Sequence, residues 1–190
     1  MREVAVLLAG GKSSRMGQDK ALLPFGGYDT LAEYQYRRLS KIFDRVYIAT
    51  KVAKFDFDVP LILDRYPEAS PLVALISTFE TLSYEHIFFL SVDAPFVSTE
   101  VIDRLYETME ALGGDVVVAS SKEGLEPLCA IYRSSILKEA KTLLLAGEHR
   151  LKTLLSRLDV REVCFEDVSL FVNLNYPNEY QSAYRLSSSI

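Results

Sequence analysis

The chain has 190 residues, of which 49% are hydrophobic and 25% are charged, and its formal net charge is −5. This size and apolar content suit the core of one domain, so we expect a single domain over residues 1–190. The negative charge argues against nucleic-acid binding, and no apolar stretch approaches the roughly 18 residues that span a bilayer, so we expect a cytoplasmic protein without membrane contact.

Short apolar runs and segments with helical periodicity alternate along the chain. The first run, residues 4–9, predicts a buried strand that opens into a glycine-rich loop. Residues 30–43 then follow the helical period, with Thr30 and Glu33 spaced as in a capping box. Later strands are predicted at residues 46–49, 61–63, 87–92, 116–119 and 128–132. Later helices are predicted at residues 71–82, 99–112, 135–146, 151–158 and 177–186.

The alternation of strands and helices predicts an α/β protein in which a mostly parallel sheet is covered on both faces. Sheets of this kind bind ligands beyond the carboxyl ends of their strands. Polar residues directly after an apolar run are therefore the first candidates for a site. Three places qualify, namely the loop of residues 10–20, Asp64 and Asp93.

The loop after the first strand has the composition of a phosphate-binding loop. Its three glycines allow positive φ angles, which turn backbone N–H groups toward an anion. Its cations, opposed only by Asp19, are Lys12, Arg15 and Lys20. A Walker A loop is excluded because Val6 stands where that motif needs a glycine, and Lys12 replaces the second glycine of a dinucleotide-binding fingerprint.

Two aspartates and two asparagines are the candidates elsewhere. Asp93 ends a buried run just before Ala-Pro, which suits a carboxylate that holds Mg²⁺ against triphosphate oxygens; the alternative is an ordinary cap or turn residue. Asp64 ends a shorter run, where a turn role fits nearly as well. Asn173 and Asn175 lie two apart on a segment expected to be extended, so both amides would point to one side and orient phosphates or complete a metal shell. Asn175 could instead cap the last helix.

Segment 8–20 reads LAGGKSSRMGQDK and resembles the signature of the molybdenum cofactor guanylyltransferase family, which it matches at every fixed position. That family also has a metal-binding aspartate before x-Pro, similar to Asp93, and an Asn-x-Asn-Thr-Pro segment similar to residues 173–177. The resemblance implies a three-layer Rossmann-like nucleotidyltransferase fold with a mostly parallel central sheet. It also implies Mg²⁺-dependent transfer of GMP from GTP to the terminal phosphate of molybdopterin, with or without molybdenum, and release of pyrophosphate.

The resemblance implies a role for each motif residue. The catalytic residues that it implies are Arg15, Lys20 and Asp93. The residues that it implies for the nucleotide are Leu8, Ala9, Gly10, Gly11, Lys20, Asp64 and Asp93. The residues that it implies for the acceptor and its phosphate are Lys12, Ser13, Asn173 and Asn175, and the implied metal ligands are Asp93 and Asn175. We expect loss of the Lys20 or Asp93 side chain to reduce turnover by orders of magnitude.

Two departures from the family pattern leave the choice of base and acceptor open. Ser70 and Ala74 replace glycines beside the nucleotide and acceptor, and residues 49–51 lack an asparagine that many relatives have. One alternative is a related nucleotidyltransferase with another base or acceptor, such as a molybdopterin cytidylyltransferase. The other is a degenerate paralogue that binds nucleotide without catalysis. The expected partners are GTP, molybdopterin and other proteins of molybdenum cofactor biosynthesis.

Overall fold

The computed structural model describes residues 2–10 and 18–187, and within these ranges it contains seven strands and six α-helices. The strands are β1 (Arg2–Leu8), β2 (Phe43–Thr50), β3 (Leu61–Leu63), β4 (His86–Ser91), β5 (Val116–Ser121), β6 (Gly124–Arg133) and β7 (Val160–Cys164). The helices are α1 (Leu31–Leu39), α2 (Pro71–Thr81), α3 (Thr99–Leu112), α4 (Leu137–Leu145), α5 (Leu151–Leu155) and α6 (Pro177–Ser187).

The strands form one sheet in the order β3-β2-β1-β4-β6-β5-β7. All strand pairs are parallel except the two that include β6, which runs antiparallel to β4 and β5. A turn of two residues, Lys122 and Glu123, joins β5 to β6, and a connection this short can only link antiparallel neighbours. The mostly parallel sheet expected from the sequence is confirmed.

Helices cover both faces of the sheet, so that the protein has three layers. Successive residues of a strand point to opposite faces, and β1 accordingly sends Val4, Val6 and Leu8 into one apolar cluster and Ala5 and Leu7 into another. The first cluster also contains the buried faces of α2, α4 and α5, and the second contains those of α1 and α3. Burial on both sides explains why the central strands read as unbroken apolar runs.

The first helix is shorter than the helical periodicity predicts. Thr30 caps α1 as expected, because its Oγ1 accepts the Glu33 N–H at 3.0 Å. The helix ends at Leu39, however, and Phe43 already belongs to β2, where its ring stacks on Phe88 with 5.5 Å between centroids. The prediction of a helix through residue 43 is therefore wrong, since the last apolar residues of that pattern pack as part of the sheet.

Among the other elements, β6 and β7 differ most from the prediction. Strand β6 begins four residues earlier than expected, at Gly124, whose φ of +118° glycine adopts without strain. Strand β7 was not predicted, because its charged residues interrupt the apolar pattern; it is an edge strand that pairs with β5 on one side only. No helix in the described part of the chain is long and apolar enough to cross a membrane.

The topology brings the candidate residues to one edge of the sheet. Strands β1 to β4 all end at this edge, so that Gly10, Thr50, Asp64 and Asp93 follow neighbouring strand ends. Because β6 is reversed, its first residues, 124–128, lie at the same edge. The crevice beyond the strand ends is where sheets of this type bind ligands.

Candidate active site

A cleft of about 330 Å³ opens beyond the ends of β1, β2 and β3; we refer to it as the main cleft. Its floor comes from Leu8 and Gly10 after β1, and one wall from Thr50 and the loop that follows β2. The remaining lining residues, from the other strand ends and the start of α2, are Asp19, Asp64, Ala69, Ser70, Pro71, Ala74, Ser91 and Leu128.

Three distant parts of the chain meet beside this cleft. The Lys20 ammonium donates to Asp93 Oδ2 at 2.6 Å and to Asn175 Oδ1 at 2.9 Å. The other Asp93 oxygen accepts the Ser91 hydroxyl at 2.5 Å. Only about 15% of the Lys20 and Asp93 side chains is exposed, so water screens their attraction weakly. Lys20, Asp93 and Asn175, which were predicted from three separate parts of the sequence, are therefore in direct contact.

Lys20 is held in place by a short turn and a second lysine. Asp19 caps the 3₁₀ turn Lys20–Leu22, accepting the Ala21 N–H at 3.1 Å. Lys54, from the loop after β2, donates to the other Asp19 oxygen at 2.5 Å and to the Ala9 carbonyl at 2.8 Å. Lys54 thus ties together the two described ends of the first loop. Lys54 was not among the predicted site residues, and its place in the loop after a strand was the only signal for it in the sequence.

Helix α1 holds the segment that carries Asp93. Gln35, which is fully buried, donates through Nε2 to the Val92 carbonyl at 3.2 Å. Arg38 donates to Gln35 Oε1 at 3.0 Å and to the Val97 carbonyl. Burial lowers the pKa of Arg38, and its Nη2 has no hydrogen-bond partner among the described residues. This polar pair, also missed from the sequence, secures both ends of residues 92–97.

The tail bends tightly instead of running extended, so that prediction is wrong. The Asn175 N–H donates to the Asn173 carbonyl at 2.9 Å, which closes a three-residue turn around buried Leu174. The Leu174 N–H donates to the Asp93 carbonyl at 2.9 Å and fixes the tail against the site. The Asn175 amide faces Lys20, and Glu179 instead accepts the backbone N–H groups of Asn175 and Tyr176 before α6.

Asp64 lines the main cleft, and its carboxylate oxygen Oδ1 is buried. Its Oδ1 has no hydrogen-bond partner in the part of the chain that the structure describes. Burial raises the pKa of Asp64, and the nearby Lys51 ammonium opposes that rise. A partly exposed carboxylate at the lining of a cleft can accept hydrogen bonds from a ligand that brings donors.

A second compartment of about 220 Å³ lies on the other side of Ser91 and Leu128, which line both spaces. We call it the side compartment. It contains Asn173, so the tail turn separates the two predicted asparagines between the side compartment and the Lys20 cluster. Its other lining residues are Ala94, Val97, Glu126, Pro127, Cys129 and Phe171.

The first loop falls partly beyond the described ranges. Gly11, Lys12, Ser13 and Arg15 lie outside them, and their roles stay predictions. The N–H of Ala9 donates to the Ala49 carbonyl at 2.9 Å and is therefore not available to an anion.

The two residues that replace family glycines both line the main cleft. Ser70 also caps α2 by accepting the Val73 N–H at 3.2 Å, and its hydroxyl lies 3.3 Å from His149 Nδ1. Ala74 packs in the first turn of the same helix and is buried. The family pattern has glycines at these two positions. The Ser70 and Ala74 side chains therefore occupy part of the main cleft that glycines would leave open.

Comparison with known proteins identifies the family. The MobA-like NTP transferase domain matches residues 5–163. The chain belongs to this family. Among MobA-like relatives, the molybdenum cofactor guanylyltransferase of Campylobacter jejuni is 36% identical over 93% of this chain and 92% of its own length. The enzyme of the same name from Helicobacter pylori is 34% identical over 95% of this chain and 91% of its own length.

A solved MobA-like structure has the same fold. Molybdopterin-guanine dinucleotide biosynthesis protein A from Archaeoglobus fulgidus superposes with a TM-score of 0.85, covering 98% of this chain and 100% of that one at 22% identity. The three-layer α/β nucleotidyltransferase architecture expected from the sequence is thereby confirmed.

The donor set of this MobA-like site fits Mg²⁺. Asp93 Oδ2 and Asn175 Oδ1 converge on one point, where the Lys20 ammonium lies in the structure. Carboxylate and amide oxygens are hard ligands, and Mg²⁺ is commonly bound by one or two protein oxygens together with substrate phosphates and water.

Proposed function

We propose that the protein is a Mg²⁺-dependent molybdenum cofactor guanylyltransferase that transfers GMP from GTP to the terminal phosphate of molybdopterin and releases pyrophosphate. The names of its 33–36% identical relatives, which match over 93–95% of this chain, support this reading. The observation that carries it is the convergence of Lys20, Asp93 and Asn175 at the edge of the main cleft. A protein that only bound nucleotide would not need a buried cation–carboxylate pair at this point.

Positioning and charge neutralisation carry the proposed reaction. The acceptor is a phosphate monoester, which is already ionised near pH 7 and attacks the α-phosphorus without a general base. Lys20 would neutralise charge on the α-phosphate as the bond to pyrophosphate breaks. Asp93 and Asn175 would hold Mg²⁺ in place of the Lys20 ammonium that contacts them in the free protein, and the bound ion would neutralise phosphate oxygens. Arg15 is expected to assist from the first loop.

Asp64 favours guanine over the other bases in the main cleft. Guanine presents two adjacent donors, its ring N1–H and its 2-amino group, to an acceptor such as the Asp64 carboxylate, which lines the main cleft. Cytosine and adenine place an acceptor nitrogen beside their amino group, so a carboxylate facing that edge would be repelled. This chemistry supports GTP as the donor over the CTP-dependent alternative.

The side compartment is the place that we propose for the acceptor. It shares Ser91 and Leu128 with the main cleft, and Ser91 contacts Asp93. An acceptor lodged there would reach the Lys20–Asp93 pair with its phosphate, with Asn173 and Asn175 on either side of the tail turn. Lys12 and Ser13 are expected to contact the same phosphate.

The test is pyrophosphate release with purified molybdopterin, Mg²⁺ and GTP, CTP or ATP in turn. We expect release with GTP and at least about tenfold less with the other triphosphates. Lys20→Ala and Asp93→Ala should each lower kcat about 100- to 1000-fold, because each removes a group that acts on the phosphates. Lys122→Ala, in the exposed turn between β5 and β6, is the matched control and should retain full activity.

Three results would overturn the proposal. Near-normal activity of both the Lys20 and the Asp93 variants would show that the active site is assigned to the wrong residues. Equal release with CTP would favour the cytidylyltransferase. GTP binding without pyrophosphate release from any molybdopterin acceptor would identify a degenerate paralogue.

A further inference from the structure

The side compartment combines apolar walls with one carboxylate. Val97, Leu128 and Phe171 contribute apolar surface, and Glu126 is the acidic residue among those that line it. Apolar walls with a few polar groups at one side are typical of sites for ring-shaped ligands. The compartment therefore suits a flat ring system whose edge meets Glu126.

Nothing in the described protein satisfies Glu126. The residue is half-buried, and no hydrogen bond or ion pair reaches its carboxylate within residues 2–10 and 18–187. Burial raises the pKa of Glu126, and Glu123 raises it further while Lys152 opposes the rise. Partial burial disfavours the charged form of the Glu126 carboxylate, and no hydrogen bond from the described residues offsets this.

The backbone is shaped to present this residue. Between the pairs Val118–Ala130 and Ala119–Glu126, three β6 residues, 127–129, have no partner in β5. This bulge carries Pro127, Leu128 and Cys129 into the lining of the side compartment. The buried Tyr132 hydroxyl donates to the Pro127 carbonyl at 2.7 Å and fixes the bulge. Bulges that re-aim side chains are common beside active sites.

We propose that Glu126 recognises the aminopyrimidinone edge of the acceptor's pterin ring, an inference that rests on the proposed function. A pterin carries two adjacent donors, its 2-amino group and N3–H, which match the two oxygens of a carboxylate. The same carboxylate repels the phosphate end of the acceptor. Glu126 thus fixes the direction of binding, with the pterin in the side compartment and the phosphate toward Lys20.

Guanine and pterin share this donor edge, and we assign each ring to a carboxylate that lines one of the two spaces. Asp64 lines the main cleft and Glu126 lines the side compartment. With guanine assigned to Asp64 and pterin to Glu126, substitutions at the two residues should affect different substrates. Substitution at Glu126 should weaken the acceptor and leave GTP unaffected.

The experiment compares Glu126→Gln with Glu123→Gln. Both remove one negative charge from the start of the same hairpin, but Glu123 is exposed and outside the compartment. In Glu126→Gln we expect the KM for molybdopterin to rise about 10- to 100-fold, because the new amide N–H group faces the ring donors. The kcat at saturating acceptor and the Kd for GTP should stay within about twofold. Glu123→Gln should match the wild type in all three.

A direct binding measurement separates this proposal from the proposed function. Free pterin is fluorescent, and its quenching should report binding to the wild type but about tenfold weaker binding to Glu126→Gln. Lumazine, which has an oxygen in place of the 2-amino group, should bind the wild type more weakly than pterin. Equal pterin binding by both proteins, or a loss of GTP affinity instead, would overturn the role of Glu126. Normal pterin binding by a wild type that releases no pyrophosphate would overturn the proposed reaction alone.

Discussion

The Asp64 carboxylate lowers the stability of the free protein and is also the group that we propose for nucleotide binding. Its buried Oδ1 lacks a partner in the described structure, while the rest of the residue is partly exposed. An unpaired buried polar atom costs about 1–3 kcal/mol, and partial exposure places Asp64 at the lower end of that range. The carboxylate that contains this atom is the one that we propose for the guanine edge.

Asp64→Asn should therefore stabilise the free protein and weaken GTP binding. We expect the melting temperature at pH 7 to rise by roughly 2–4 °C, which corresponds to about 1 kcal/mol in a chain of this size. The Kd for GTP should rise at least about tenfold, since the amide loses one acceptor. Calorimetry gives both values. Asp56→Asn, an exposed change of the same charge, is the control and should alter neither.

The pH dependence of this effect has a defined sign. Burial raises the folded-state pKa of Asp64 above its unfolded value, so the ionised form is disfavoured in the fold. The stability that the neutral form contributes is present below the unfolded pKa and is lost as pH rises through the folded pKa. The difference in melting temperature between variant and wild type should thus shrink from pH 7 toward pH 4. A constant difference would show that the carboxylate charge is not its cause.

Residues that follow apolar runs were predictable, and residues that support them were not. Lys20 and Asp93 lie in motifs whose residue types are typical of phosphate and metal binding. Gln35 and Lys54 carry no such sign, because a glutamine on a helix and a lysine in a loop are ordinary in sequence. Their importance comes from long-range contacts, of Gln35 with Val92 and of Lys54 with Asp19, which spacing along the chain does not encode.

Helix α1 acts on the site through its buried polar pair. Gln35 binds the carbonyl directly before Asp93, and Arg38 binds the far end of the same segment. Gln35→Leu keeps the approximate volume but leaves the Val92 carbonyl without this donor. We expect kcat to fall about tenfold and the Mg²⁺ concentration for half-maximal activity to rise, because the Asp93 carboxylate loses its fixed position. Steady-state kinetics over a Mg²⁺ series measures both.

Thr78→Val on α2 is the control for this prediction. It removes a buried 2.7 Å hydrogen bond, from Thr78 Oγ1 to the Ala74 carbonyl, on the opposite face of the sheet. Both variants should lose at most about 3 kcal/mol of unfolding free energy. Only Gln35→Leu should also lose turnover. Equal kcat in the two variants would assign Gln35 to the core alone.

The elements divide by how strongly their own residues specify them. The central strands are buried on both faces, and their apolar runs predicted them. Strand β7 lies at a sheet edge and contains Arg161 and Glu162, so it has no apolar run from which to predict it. The direction of β6 is a further example. Its apolar pattern fits either direction, and only the two-residue turn at 122–123 excludes a parallel crossover.

At the scale of the whole molecule, a net charge of −5 is compatible with the proposed anion site because the cations are local. Lys20, Lys51 and Lys54 stand around the main cleft, while charges farther than about 8 Å are screened at physiological salt. The sheet makes this possible, since the ends of β1 to β4 and the start of β6 meet at one edge. Two compartments joined at Ser91 then allow two ligands to bind side by side.

This arrangement predicts how ligands shift global stability. GTP with Mg²⁺ at about 100 times its Kd should stabilise the folded state by about 2.7 kcal/mol, which raises the melting temperature by roughly 5–10 °C. Glu126→Gln should show the same shift as the wild type, because its carboxylate lies in the side compartment. Asp64→Asn should show a smaller shift at the same GTP concentration, because fewer molecules are occupied. Thermal scans of the three proteins with and without GTP make the measurement, and a diminished shift in Glu126→Gln would mean that the two compartments have been assigned to the wrong substrates.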